Sequence, residues 1–222
     1  MRTIRALKIA GAIVTALPAF AAAQQGRQFR DAWFWGVKAG GLTFAADSMG
    51  NFKTAPLAGV EMLITRHHGG LYISGGQAFI NAQALTFRDP LSADSGFRAI
   101  NLKNMRQLDV ALMGFPGDYI RWHPYVGIGF TMSAIADADP QGPFSSVDQL
   151  AFADSVIQEN KVGFSPLFMA GAQYRLLRFS VFGQMTASPA QKNFLLYNGR
   201  PWNFSYEFGL RYNVGTSIDR GS

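Results

Sequence analysis

Cysteine is absent from the 222-residue chain. That rules out a disulfide-stapled scaffold, thiol chemistry and any cysteine-ligated metal. Long apolar runs are nearly as scarce. After residue 23 nothing reaches the roughly 20 uninterrupted apolar residues that a spanning helix needs, so a chain of this kind crosses a membrane only with strands. Histidine occurs three times, at His67, His68 and His123. No charge of one sign dominates either. The 20 Lys+Arg face 14 Asp+Glu, and residues 1–23 hold three of the positives and no acid, which leaves 17 against 14. Such a balance is ordinary and gives no argument for a nucleic-acid partner.

What is present begins with an export signal. Arg2, Arg5 and Lys8 form a positive start, Ile9 to Leu17 an apolar stretch, and Pro18 precedes Ala19-Phe20-Ala21-Ala22-Ala23. Ala21 and Ala23 make the small-residue pattern of a cleavage site, so residues 1–23 are expected to be removed and the mature chain to begin at Gln24. Residues 24–32 then lead into a single domain at 33–214, with 215–222 as a short tail. Nineteen Phe, seven Tyr, four Trp and 24 Gly give a composition rich in aromatics and suited to strands.

Eight segments alternate with period two, the mark of a strand with two unlike faces. They cover about 33–44, 56–65, 71–80, 98–113, 119–132, 163–175, 179–186 and 202–214. In the first, Trp33, Trp35 and Val37 oppose Phe34, Gly36 and Lys38. The last is the clearest, with Phe204, Tyr206, Phe208, Leu210, Tyr212 and Val214 opposing Ser205, Glu207, Gly209, Arg211 and Asn213. The inward face of the third is left open, and the length of the fourth leaves room for a β-bulge. Connections after the even segments are short, at 66–70, 114–118 and 176–177. Those after the odd segments are long, at about 45–55, 81–97, 133–162 and 187–201. This asymmetry predicts an all-β, eight-stranded antiparallel up-and-down transmembrane β-barrel, with short periplasmic turns and long extracellular loops.

The polar face carries Gly36, Gly40, Gly59, Gly127, Gly129, Gly171 and Gly209. Glycine weakens a strand that faces water, but in a narrow barrel interior small residues must sit beside large ones. Lys38, Glu61, Asp109, Gln173, Glu207 and Arg211 share that face with both signs represented, and are expected to form a lumen network. A soluble lipocalin-like barrel would turn the same faces the other way. Trp33, Trp35, Trp122 and Tyr174 near the short-turn end, and Trp202 near the other, suit interfacial girdles.

The signal, the eight segments and the run Pro124-Tyr125-Val126-Gly127-Ile128-Gly129 resemble the small OmpA/OmpX-type outer-membrane β-barrel superfamily. The last segment is similar to the C-terminal assembly signal of that class. Glu207 supplies the polar residue, Gly209 the glycine two places on, and Tyr212 and Val214 the apolar fifth and seventh places. The chain departs from the pattern by continuing through Gly215 to Ser222, and by carrying Glu where Lys or Gln is commoner. The resemblance implies insertion by the barrel-assembly machinery, residence in the outer membrane and contact with its lipid and lipopolysaccharide.

It also brings rivals, since some members resemble lipid A deacylases or palmitoyl transferases. Acyl transfer needs a nucleophile with a base in reach, and all three histidines map to the short-turn end. Neither Ser74 nor Ser180 is spaced to favour a pair with them. A wide pore does not fit eight strands, although a narrow channel does. Asp137, Asp139, Gly142 and Asp148 fall at four places of a calcium-binding EF-hand loop. Gln141 and the shorter Asp148 weaken that match, and a solvated acidic loop is the simpler reading. The expectation is therefore a structural or surface-interaction barrel with no catalytic residues, no metal and no cofactor, its long loops free to meet a partner.

Overall fold

The computed structural model describes residues 31–45, 52–90, 97–117, 121–197 and 202–216. The expected signal peptide, most of the lead-in and the last six residues lie outside them. Eight strands form one closed antiparallel barrel, each bonded to its chain neighbours and the first closing on the last. They are β1 (Ala32–Ala45), β2 (Phe52–Arg66), β3 (Gly69–Arg88), β4 (Phe97–Gly114), β5 (Trp122–Pro140), β6 (Val162–Leu176), β7 (Phe179–Pro189) and β8 (Trp202–Thr216). One helix, α1 (Val147–Asn160), lies between β5 and β6. Closure leaves no edge for aggregation and satisfies the backbone without water.

Most strands run further than the alternation indicates, and mainly at the loop end. β3 continues to Arg88 and β5 to Pro140, so residues 81–88 and 133–140 of the expected connections are strand, and most of the rest of 133–162 is helix. β5 begins at Trp122 rather than 119. The tail expected at 215 begins later, because Gly215 and Thr216 still pair with β1. Alternation fades in the loop-end extensions because the solvent outside them changes, and with it the residue type on each face. On β4, Leu108, Val110 and Leu112 point outward around an inward Asp109. Met105 is still buried and Arg106 still exposed in that phase, but past Asn104 it is Leu102 that is buried and Lys103 that is exposed. Between the two stretches β3 places Phe79 and Ile80 opposite Asn104 alone, whose φ is 56°. A bulge of this type shifts the side-chain phase by one, which is why the first half of β4 reads out of step with the second.

Lipid-facing character marks the wall between these zones. Trp35, Val60, Leu112, Ile128 and Phe208 are between 52 and 68% exposed, whereas the charges at the same height point inward. Water cannot be the solvent of such a wall, and the inverted, lipocalin-like orientation is not the one adopted. Rings collect at two levels. Near the turns, Trp122 lies 5.1 Å from Tyr174 and Phe179 5.1 Å from Tyr212. Arg121 and Arg178 donate to the hydroxyls of Tyr174 and Tyr212 at 3.4 and 3.2 Å. Trp33 and Trp35 stand outward at the same end. Toward the loops, Phe130 stacks on Phe164 at 5.1 Å and Phe168 meets Trp202 at 6.2 Å. Eight residues of β5 separate Trp122 from Phe130; at ~3.3 Å per residue and ~40° tilt, the girdles lie roughly 20 Å apart.

Two apolar layers close the interior. The turn-end layer includes Phe34, Leu63, Met113, Phe115 and Tyr125. The loop-end layer is larger and recruits Ala153 and Ile157 of α1 and Phe194, Leu195 and Leu196 of the last connection.

Candidate functional site

Between the two apolar layers lies the polar lumen, and its geometry follows from a lateral pattern of large and small residues. Gly36 of β1 pairs with Glu61 on β2 and with Arg211 on β8. A Cβ on Gly36 would stand 2.8 Å from Glu61 Oε1, so only glycine lets the acid and the base close over the strand between them. One row along, Lys38 is flanked by Gly59 and Gly209. A Cβ on Gly209 would fall 2.5 Å from the Phe182 ring.

Arg211 is wholly buried. Its Nε donates to Glu61 Oε1 at 2.5 Å and its Nη2 to Glu61 Oε2 at 3.4 Å. Its Nη1 donates to Gln173 Oε1 at 2.7 Å. The guanidinium also lies 3.9 Å from the centre of the Phe182 ring, a contact strengthened by desolvation. Lys38 forms the second centre. Its Nζ donates to Glu207 Oε2 at 2.9 Å, to Ser74 Oγ at 3.0 Å and to Asp109 Oδ2 at 3.4 Å. Ser74 in turn donates to Asp109 Oδ2 at 2.9 Å. Gln184 joins the two halves: its Nε2 donates to Glu207 Oε2 at 2.6 Å and to the Tyr72 hydroxyl at 3.0 Å, and its Oε1 accepts from Arg211 Nη2 at 3.4 Å. The Tyr125 hydroxyl donates to Gln184 Oε1 at 2.9 Å.

All six expected lumen residues, Lys38, Glu61, Asp109, Gln173, Glu207 and Arg211, thus meet in one network. Glu207 binds Lys38 rather than Arg211, which is four residues along its own strand. Of the assembly-signal positions, Glu207 and Gly209 face the lumen, while Tyr212 and Val214 face outward. Sequence patterning left out Phe182, because an aromatic on a polar face is read as noise, although its parity with Ser180 and Gln184 places it inside. Tyr72 and Ser74 belong to the third strand, whose glycines and mixed residues hid its inward face.

The acidic pattern at 137–148 does not form one loop. Asp137 and Asp139 are on β5, Asp148 is exposed in the first turn of α1, and Ser146 caps that helix by accepting from Gln149 N at 3.2 Å. Gly142, at φ +115°, clears space for Arg98, whose Nη1 would be 2.7 Å from a Cβ there. Arg98 Nε serves a buried pair with Asp89 at 2.6 Å, and Gln149 Nε2 donates to the same Oδ2 at 2.8 Å. That cluster fastens α1 over the barrel mouth. His67 and His68 stack at 4.4 Å in the exposed turn between β2 and β3, and His123 is buried at the turn end of β5. His67 and His68 lie outside the barrel wall, whereas His123 pairs across the β5–β6 ladder with Gln173 at the turn-side border of the network.

No protein-family model and no curated protein matches the chain. Among solved structures it is similar to neisserial surface protein A, with a TM-score of 0.51 and 7% identity over 81% of this chain and 96% of that one. The fold is that of a small outer-membrane β-barrel. Ail, the attachment invasion locus protein of Yersinia pestis, aligns at 9% identity and a TM-score of 0.43, over 83% of this chain and 99% of its own. A major outer membrane protein of Thermus thermophilus aligns at 9% and 0.45, over 82% and 99%. In this chain the lumen groups described above hold one another.

Proposed function

We propose that this protein resides in the outer membrane as a closed barrel and acts through its loop end, as a structural or surface-interaction protein and not as an enzyme or open pore. The observation that carries the reading is the filled lumen. A fully buried Arg211 and a bonded Lys38 cluster lie between two apolar layers, while the loop end is elaborated with long strands and a docked helix. An eight-stranded ring has room for little else. Likeness in fold to a neisserial surface protein supports the placement. Exposed Lys53, Arg88, Lys103 and Arg106 on the loop-side halves of β2, β3 and β4 suit the phosphates of lipopolysaccharide. Against acyl transfer, Ser74 is already engaged with Asp109 and Lys38, and no hydrogen bond joins it to a histidine among the described residues.

The test combines topology with conductance. A tag beside Gly142 should be reached from outside on intact cells and one at Gly69 should not. Membrane-fraction protein should show heat-modifiable migration on gels, and the purified barrel should give no conductance steps in planar bilayers. The reverse labelling pattern or steady ion conduction overturns the reading.

A further inference from the structure

The charges buried among the described residues do not balance. Lys38, Arg98 and Arg211 face Glu61, Asp89, Asp109 and Glu207, which leaves one negative charge over. Arg98 is matched by Asp89 and Arg211 by Glu61, so the excess lies with Lys38, one cation between two carboxylates at 3.4 and 2.9 Å. A small cavity opens on the loop side of that pair. It is lined by Asp109, Glu207, Gln107, Thr131, Ser205 and Asn203, among others, and has room for about one water-sized occupant. Thr131 neighbours Asp109 across the β4–β5 ladder. Its side chain is buried at 4% exposure, and Oγ1 has no hydrogen-bond partner among the described residues. Ser205 Oγ donates to Glu207 Oε1 at 2.9 Å and, its proton so committed, accepts from Thr186 Oγ1 at 2.6 Å, which leaves it one lone pair.

We infer that this cavity binds one alkali-metal cation, held by Asp109 and Glu207 with oxygens of Thr131 and its neighbours. The chemistry follows from what lines the site: hard oxygen donors, no sulfur or imidazole, and a single charge to neutralise. A divalent ion would overshoot that balance beside Lys38 and wants more carboxylate oxygen. A surplus carboxylate charge enclosed within the barrel is costly, and an ion or a proton in the cavity relieves it.

The experiment separates those two. The full chain is purified in detergent and refolded in sodium, potassium or choline chloride at one ionic strength, and its thermal unfolding is compared. Binding to the folded state alone raises the midpoint, so sodium or potassium should lift it by a few degrees over choline. The better-fitting ion should give the larger shift. Thr131→Val and Asp109→Asn should each abolish the difference, and Thr131→Ser should keep it. Equilibrium dialysis with labelled ion should give one site per chain, lost in Thr131→Val. Should Asp109→Asn fail to fold, Thr131→Val and the dialysis decide. Identical midpoints in all three salts, or an infrared band of a protonated buried carboxyl in the native barrel, overturn the inference. An ion effect that survives both Thr131→Val and Asp109→Asn overturns it as well.

Discussion

The middle of this barrel and its loop end are built from the same strands and obey opposite rules. In the middle, apolar residues face out and Lys38, Glu61, Asp109, Glu207 and Arg211 face in. At the loop end Lys53, Lys103 and Arg106 face out, while Leu57, Ile100, Leu102 and Ile135 face in. β4 makes the change within a few residues, at the bulge beside Asn104. The difference teaches that the lumen is polar only where lipid surrounds the wall. There the outside takes all the apolar surface, and the narrow inside must hold the charges in mutually bonded pairs. Where water replaces lipid, the ordinary hydrophobic effect returns, and α1 and residues 194–196 fold in to complete a core. One zone is held by charge and the other by packing, and substitutions should distinguish them.

The largest effect is expected in the charged zone. Glu61→Gln leaves the fully buried Arg211 guanidinium without its carboxylate, at a cost of about 3–5 kcal/mol. Urea unfolding in micelles, followed by tryptophan fluorescence, should show a large drop in midpoint. Glu207→Gln should cost less than Glu61→Gln, because Lys38 keeps its pair with Asp109 at 3.4 Å. Phe208→Leu, 68% exposed on the lipid face, should change little, because an apolar group still meets apolar surroundings. A Glu61→Gln midpoint equal to that of Phe208→Leu would break the contrast.

In the packed zone Leu195, wholly buried, is the counterpart. Leu195→Ala removes buried methyl groups and leaves a cavity, for roughly 2–4 kcal/mol. Its signature is location. Hydrogen exchange should accelerate in α1 and residues 194–196, while the strands around Arg211 keep their protection. Uniform acceleration through all eight strands would show that the two zones are one cooperative unit.

Gln149→Ala should act more locally still. Its carboxamide donates to Asp89 and accepts from Ser145 N at 2.7 Å, and both links are lost at about 1–3 kcal/mol. Exchange and proteolysis within 147–160 should increase with the barrel midpoint unchanged. A midpoint shift as large as that of Glu61→Gln would mean that the helix, not the lumen, governs the barrel.

How much of this was legible in the sequence depends on the same contrast. Strand number, pairing order and the inward set at mid-barrel are readable because lipid and lumen impose a strict alternation, as in Phe204 to Val214. Gly36 between Glu61 and Arg211 could also be read, once glycine on a polar face is taken as space for a neighbour. The loop end was obscured by its reversal of phase. Leu102 looks outward if the parity of Leu108 is carried through, and only the bulge at Asn104 corrects it. The helix was obscured because Pro140, Gly142 and Pro143 suggest an irregular loop, and because its apolar face is weak, with only Gln149, Ala153 and Ile157 buried. The partners of each lumen charge are a property of barrel circumference, which parity along one strand does not contain.

The smallest effect is expected at Ser180, and its sign is the informative part. Ser180 is fully buried on the lumen face next to Arg211 on β8, and its Oγ has no hydrogen-bond partner among the described residues. Burying an unpaired hydroxyl costs free energy, so Ser180→Ala should leave stability unchanged or raise it by a few tenths of a kcal/mol. Ser74 is the control, similarly buried on the same face but bonded to Asp109 and Lys38 at 2.9 and 3.0 Å. Ser74→Ala should cost about 1.5 kcal/mol or more, since both partners are charged. The two substitutions delete the same atom from the same kind of strand position, so volume and propensity cancel between them. If Ser180→Ala destabilises as much as Ser74→Ala, a bound water or ion is using the Ser180 hydroxyl. The charged zone would then extend sideways from the Arg211–Glu61 pair onto β7, along the row that Ser180 shares with Arg211.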